Sequence, residues 1–296
     1  MKILVAADGS RHSWGAIAFL ANFPFASPPE VVVSVVCHAP ELEGSGKLVN
    51  ENVQELIREH RAEAERILNE AVAKCTPWAS GVKSHLLDGN PSKELLTLAD
   101  QERVDLIVMG SRGLGSVDRF FLGSVSEKVT LHAKCSVLVV RTSGEEEFVE
   151  CQSILFADDG SEQITQAIDR FSTCPLGPDR QAVILGVLES SSNKKLREII
   201  ENNPYWKSQK ARLQEHLETS VKKFEPTGAR IQLVLEKSEN TADQILKSAE
   251  TYGADLIVLG SYSKNAWERF LLGSVSTRIL RHATCSVWIE RTKPTK

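Results

Sequence analysis

The chain has 296 residues, enough for two domains of ordinary size, and its 42% hydrophobic and 25% charged content is that of a globular protein. A formal net charge of -4 argues against a general nucleic-acid binder, which needs a basic surface. The opening apolar run Ile3-Leu4-Val5-Ala6-Ala7 is too short for a signal-peptide core or a membrane span, so the expectation is a cytosolic protein with no membrane partner.

Taken in chain order, Lys2–Ala7 reads as a short buried strand, and Asp8-Gly9-Ser10 turns it into a helix running to about Asn22. Val31–Cys37 is a second strand whose nearly unbroken β-branched run requires cover on both faces, as in a parallel sheet between helix layers. A polar loop containing Glu43-Gly44-Ser45-Gly46 precedes a long charged helix from about Glu51 to Lys74. A third strand is expected near Val82–Leu87, after which Asn90-Pro91 supplies a cap and a first helical residue. Asp105–Met109 and Val137–Val140 are the fourth and fifth strands. Strict alternation of strand and helix points to an open doubly wound sheet.

The chain then repeats itself. Residues 105–142 and 255–292 align without gaps at an offset of 150, with 20 of 38 positions identical, and ILVAADGS at 3–10 matches ILFADDGS at 154–161. A period of a whole domain means duplication, not a solenoid of short repeats. Strands are expected near Ile154–Ala157, Ala182–Leu188, Arg230–Leu235, Asp255–Leu259 and Val287–Ile289, and the glutamate-rich stretch 141–151 reads as an exposed linker. The expected architecture is therefore α/β: two tandem doubly wound domains, residues 1–143 and 152–296, each an open five-stranded parallel sheet with helices on both faces.

In such a sheet, ligands bind beyond the carboxyl ends of the strands where strand order reverses. With strand 1 beside strand 4, that crevice is bordered by Ala7-Asp8-Gly9 and by Gly110-Ser111-Arg112-Gly113, which leads to Gly123-Ser124-Val125-Ser126 at the start of a helix. Glycines let a backbone approach a ligand closely, and the free N–H groups of a helix start attract anions, so a phosphate chain fits. Neither a Walker lysine nor the G-x-G-x-x-G dinucleotide fingerprint is present. The spacing alone leaves two readings open. In the other, the glycines serve turns, Ser124 and Glu127 form a capping box, and Asp8 or Ser10 caps the first helix.

Asp8-Gly9-Ser10, the Gly110/Gly113/Gly123-Ser124 spacing and the ending His132-Ala133-Lys134-Cys135-Ser136-Val137-Leu138-Val139-Val140 together closely resemble the universal stress protein family, in both halves of the chain. In the ATP-binding branch of that family this glycine spacing marks the nucleotide site. The resemblance implies ATP, with or without Mg²⁺, as cofactor. By position it implies Ala7, Asp8 and Val36 at the adenine end and Met109 and Gly110 near the ribose. Gly113, Gly123, Ser124, Val125 and Ser126 would hold the phosphates, with Arg112 as a charge partner. It also implies pairing of domains through the fifth strand, which a tandem chain can make internally as a pseudo-dimer. A homodimer between chains and a further protein partner stay open.

The second half departs from the pattern. Ser263 replaces Gly113, Tyr262 replaces Arg112, Asn265 replaces Gly115, Trp267 adds bulk and Thr277 stands where Glu127 would complete the capping box. Weak or absent ATP binding is expected there, although Asp159-Gly160-Ser161 is intact. No catalytic residues are expected: the sequence has no G-x-S-x-G elbow and no kinase His-Arg-Asp. Three functions follow: an ATP-dependent regulatory switch, a slow ATPase or phosphoryl-transfer enzyme using Asp118 or Asp8, or an interaction module that needs no nucleotide. The six cysteines contain no C-x-x-C, and His132 and His282 have no partner at metal spacing, so no metal site is expected. Cys135 and Cys285 read as packed thiols.

Overall fold

The computed structural model describes residues 1–37, 51–113, 122–142, 151–261 and 272–292, excluding the side chains of residues 51–53 and 194. The Glu43–Gly46 loop, linker residues 143–150, Gly115, Asp118, and the segment holding Tyr262, Ser263, Asn265 and Trp267 lie outside the described residues. The chain divides into two units, one of residues 1–21 and 27–149, the other of residues 22–26 and 150–296.

In the first unit the chain runs β1 (Lys2–Ala7), α1 (Arg11–Asn22), β2 (Glu30–Cys37), α2 (Glu51–Cys75), β3 (Gly81–Asp88), α3 (Pro91–Glu102), β4 (Leu106–Gly110), α4 (Ser124–His132) and β5 (Ser136–Val140). The strands lie parallel in the order β3-β2-β1-β4-β5. After β3 the chain crosses back over β2 and β1 to start β4, so strand order reverses between β1 and β4. Right-handed crossovers on either side of that reversal put helices on both faces of the sheet. Double cover explains the sequence: Ile3, Leu4, Val5, Val31–Val33, Leu106–Val108 and Val137–Val140 form the buried core, whereas β3 mixes polar and apolar residues. Asn90 caps α3 as expected, its Oδ1 accepting from the Lys93 N–H, with Pro91 in the first turn.

The second unit repeats this plan. It contains β6 (Ser153–Ala157), α5 (Glu162–Phe171), β7 (Gln181–Glu189), α6 (Lys194–Asn202), α7 (Pro204–Phe224), β8 (Arg230–Ser238), α8 (Thr241–Thr251), β9 (Leu256–Gly260), α9 (Ser274–His282) and β10 (Ser286–Glu290), with a 3₁₀ turn between α7 and β8. Its strands are parallel in the order β8-β7-β6-β9-β10. Phe156 packs against both Phe171 and Phe224, tying α5 and α7 onto the sheet. The short helix α6, capped by Asn193, was not anticipated from the repeat, whose other strands and helices match their first-half counterparts.

Candidate functional site

The reversal between β1 and β4 opens a cavity of about 400 Å³ in the first unit. Three segments build it. β1 ends at Ala7 and leads into Asp8, β4 runs out through Gly110 into Arg112 and Gly113, and the chain returns at Gly123 to start α4. β2 and the start of α3 contribute Ser34, Val36, Pro91 and Leu95.

The turn after β1 is held locally. Asp8 Oδ1 accepts a 2.9 Å hydrogen bond from the Ser10 N–H, and Ser10 Oγ accepts from the Ser13 N–H at 3.2 Å, so Ser10 is the residue that caps α1. Gly9 has φ +76°, a left-handed conformation that costs glycine nothing. Each glycine of the candidate loop has a different neighbour. A Cβ on Gly110 would lie 2.5 Å from the His12 carbonyl carbon, so this glycine lets β4 pack against the first turn of α1. A Cβ on Gly113 would lie 2.8 Å from Asp8 Oδ2, and Gly113 does not adopt a left-handed φ, so closeness to the β1 turn is what this position demands. A Cβ on Gly123 would meet the Ser111 carbonyl at 3.3 Å.

The helix start differs from the capping-box alternative. Gly123, not Ser124, is the N-cap of α4, with extended backbone and no capping side chain. Glu127 therefore falls one residue too late to complete the box, and its N–H bonds to the Gly123 carbonyl instead. With no side-chain cap, the first N–H groups of α4, from Ser124, Val125 and Ser126, carry the positive end of the helix dipole at the cavity wall. The Ser126 hydroxyl is already committed: it lies 3.0 Å from the carbonyls of both Ser111 and Gly123 and ties the two ends of the loop together.

All the residues anticipated from sequence (Ala7, Asp8, Val36, Met109, Gly110, Arg112, Gly113, Gly123, Ser124, Val125 and Ser126) line this one cavity. Ala6, Ser13, Ser34, Pro91 and Leu95 also line it and were missed. Pro91 and Leu95 carry no distinctive signal, but a lone serine in the run Val31-Val32-Val33-Ser34-Val35-Val36 does. Ser34 is 1% exposed and its Oγ has no hydrogen-bond partner among the described residues. An unpaired buried hydroxyl costs about 1–3 kcal/mol, so its presence in a valine strand needs a reason. Beside the site, His12 Nδ1 lies 2.9 Å from Thr142 Oγ1. Burial, and then the cations Arg112 and Arg11, hold the His12 imidazole below the usual histidine range.

The cavity is thus lined by the apolar side chains of Val36, Leu95 and Met109 together with the N–H donors at the start of α4. Such a shape suits a ligand with a flat apolar ring at one end and an anion at the other, and the close-packed glycines leave room for it. The model of the Universal stress protein family matches residues 1–141 and again 150–291. The chain belongs to the universal stress protein family. It is a tandem member, with a family match in each half. A universal stress protein from Methanocaldococcus jannaschii is 32% identical over 150 residues, 49% of this chain and 84% of that protein. One from Thermus aquaticus is 38% identical over 142 residues, 47% of this chain and 97% of that protein. Over its full length the fold matches a solved universal stress protein from Archaeoglobus fulgidus, with a TM-score of 0.65, 20% identity and 98% of each chain covered. Among the described residues no helix is long and apolar enough to cross a membrane, and no group of three or more His, Cys, Asp or Glu could hold a metal ion.

Proposed function

We propose that the first unit of this universal stress protein binds ATP and that occupancy acts as a switch read by a protein partner in a stress response. The observation that carries the reading is the uncapped start of α4, whose Ser124, Val125 and Ser126 N–H groups border the cavity. The base would lie toward Asp8 and Val36, the ribose near Met109 and Gly110, and the phosphates against Gly113, Gly123 and the first turn of α4. Arg112 is the cation placed to neutralise phosphate charge, and Asp8 shapes the turn beneath it. The residues fit the ligand on two counts: glycines whose Cβ positions are already crowded, and helix donors without a side-chain cap.

The second unit is proposed to bind no ATP, because Asp158 stands at the sequence position of the cavity-lining Ala7. Pairing of the two fifth strands within the chain belongs to the same proposal and rests on sequence alone, on the apolar run Val137–Val140 and its counterpart Val287–Glu290.

Nucleotide content of the purified chain, followed by titration calorimetry with ATP and Mg²⁺, tests the reading. One ATP per chain supports it. Absence of ATP binding overturns it and leaves the nucleotide-independent interaction module in its place.

A further inference from the structure

We infer that Ser34 is a specificity-determining residue of the proposed nucleotide site, its hydroxyl hydrogen-bonding a heteroatom of the base. The inference rests on the ATP reading above and extends it to a residue outside the glycine loop.

Three observations converge on Ser34. It lies in the wall of the cavity, opposite Ala6 in the β1–β2 register and two residues before Val36, so all three share the face of the sheet that borders the site. Its Oγ has no partner among the described residues, although the residue is 1% exposed. Val36, Pro91, Leu95 and Met109, which line the same cavity, are apolar, and the polar side chains Asp8 and Ser13 are already hydrogen-bonded to the backbone of Ser10. Ser34 Oγ is the hydroxyl in this wall with no partner among the described residues, and a buried hydroxyl of that kind takes its partner from the ligand or leaves both groups unpaired.

The second repeat supplies an internal control. In the β6–β7 register, Leu185 pairs with Ala157 as Ser34 pairs with Ala6, and Leu185 is 1% exposed. The strand therefore accepts an apolar side chain at this position, and the serine is not required to build the sheet.

A hydroxyl can donate to a ring nitrogen or accept from an exocyclic amine. Either contact distinguishes a base from an apolar ring of the same size, and neither involves the phosphates. Sites built to hydrogen-bond a ligand group reject analogues that lack it, because the site atom is then left unpaired.

The test is titration calorimetry on the full chain as wild type, Ser34→Ala and the near-isosteric Ser34→Cys, each with ATP and with inorganic tripolyphosphate, alongside thermal melts without ligand. Both variants are expected to bind ATP about 5- to 10-fold more weakly, the loss of one net hydrogen bond, with tripolyphosphate affinity unchanged. Their ligand-free melting temperatures are expected to equal or exceed the wild type's, since Ser34 Oγ gives up no hydrogen bond to the described residues. Unchanged ATP affinity in Ser34→Cys, or a lowered ligand-free melting temperature in both variants with unchanged affinity, overturns the role of Ser34 alone. If the wild type binds tripolyphosphate but not ATP, the site takes an anion without a base, and the Ser34 assignment falls with the nucleotide. If it binds neither, the ATP reading itself is what failed.

Discussion

Asp158 Oδ1 lies 3.0 Å from His216 Nε2, and the second carboxylate oxygen accepts a 2.8 Å hydrogen bond from Ser220. The Asp158 side chain is fully buried, and both partners sit on α7. Asp158 occupies the position that Ala7 holds in the first repeat, where a methyl group borders the cavity. One substitution therefore exchanges a cavity-lining residue for a polar tie between the sheet and a helix.

Two outcomes follow from that tie. Calorimetry is expected to find one ATP per chain; a stoichiometry of two would show that the second unit accommodates nucleotide despite Asp158. Replacing the carboxylate by Asp158→Ala strips the Ser220 hydroxyl and the Gly160 N–H of their acceptor and removes the carboxylate beside His216. Loss of charge-assisted hydrogen bonds of this kind costs about 1.5–3 kcal/mol, and urea denaturation is expected to register the loss in the second unit while ATP affinity stays at the wild-type value. A variant as stable as wild type would mean that the tie contributes nothing.

The histidine beside the candidate site sets a pH dependence. Burial first, then Arg112 and Arg11, lower the His12 pKa from the ordinary 6.5, while Asp8 opposes them. The unfolded chain therefore takes up the proton more readily than the folded one. Stability contributed by neutral His12 is fully present above pH 6.5 and is lost as pH falls through the lowered folded value. His12→Gln is expected to flatten the fall in unfolding free energy between pH 7.5 and pH 5.5, measured by urea titration at each pH. Parallel curves for variant and wild type would exclude His12 as a source of acid sensitivity.

The fold was legible because its signals are local and periodic. Valine runs marked strands covered on both faces, Asn90-Pro91 marked the start of α3, and duplication let each half check the other. The segments Ala7-Asp8, Gly110–Gly113 and Gly123–Ser126 followed from one topological expectation, β1 beside β4, which the register of Ile3 with Leu106 bears out, whereas Val36 and Met109 came only from the family resemblance. What sequence could not supply depends on contacts between distant residues. Ser124 and Glu127 satisfy the spacing of a capping box, yet the helix begins one residue before the position that spacing assumed, because Gly123 takes the cap. His216 is 58 residues beyond Asp158, and no short-range pattern announces that α7 brings them together. Ser34 left a visible trace, a hydroxyl inside a valine run, but its meaning required knowing that the strand borders a cavity.

Thiol chemistry offers an independent check of the packing. Among the six cysteines, Cys37, Cys75, Cys135, Cys151 and Cys174 are buried and Cys285 is partly exposed, which corrects the expectation that Cys285 packs as tightly as Cys135. Burial pushes the Cys75 thiol up to about 12 and raises Cys151 and Cys174 as well, so all three stay protonated and unreactive at pH 8. Titration of the native chain with a disulfide reagent at pH 8 is expected to modify Cys285 first, with all six thiols reacting at once only in denaturant. Rapid modification of Cys75 or Cys151 in the native chain would contradict the packing described.

The glycines of the loop separate fold from function, because what lies next to each differs. A methyl group on Gly110 meets rigid backbone at His12, whereas one on Gly113 meets the end of the Asp8 side chain, which can swing aside. Overpacking against backbone costs about 1–3 kcal/mol, so Gly110→Ala is expected to lower the melting temperature measurably whether or not nucleotide is present. Gly113→Ala is expected to leave the ligand-free melting temperature within a degree or two of wild type. Its effect falls on binding instead: displaced Asp8 releases the Ser10 turn, and the added methyl group narrows the approach of a phosphate chain to the start of α4. A loss of ATP affinity of about 10-fold or more in calorimetry, equivalent to about 1.4 kcal/mol, is the expected reading. If Gly113→Ala instead melts as early as Gly110→Ala, both glycines serve packing alone and the loop loses its standing as a phosphate cradle.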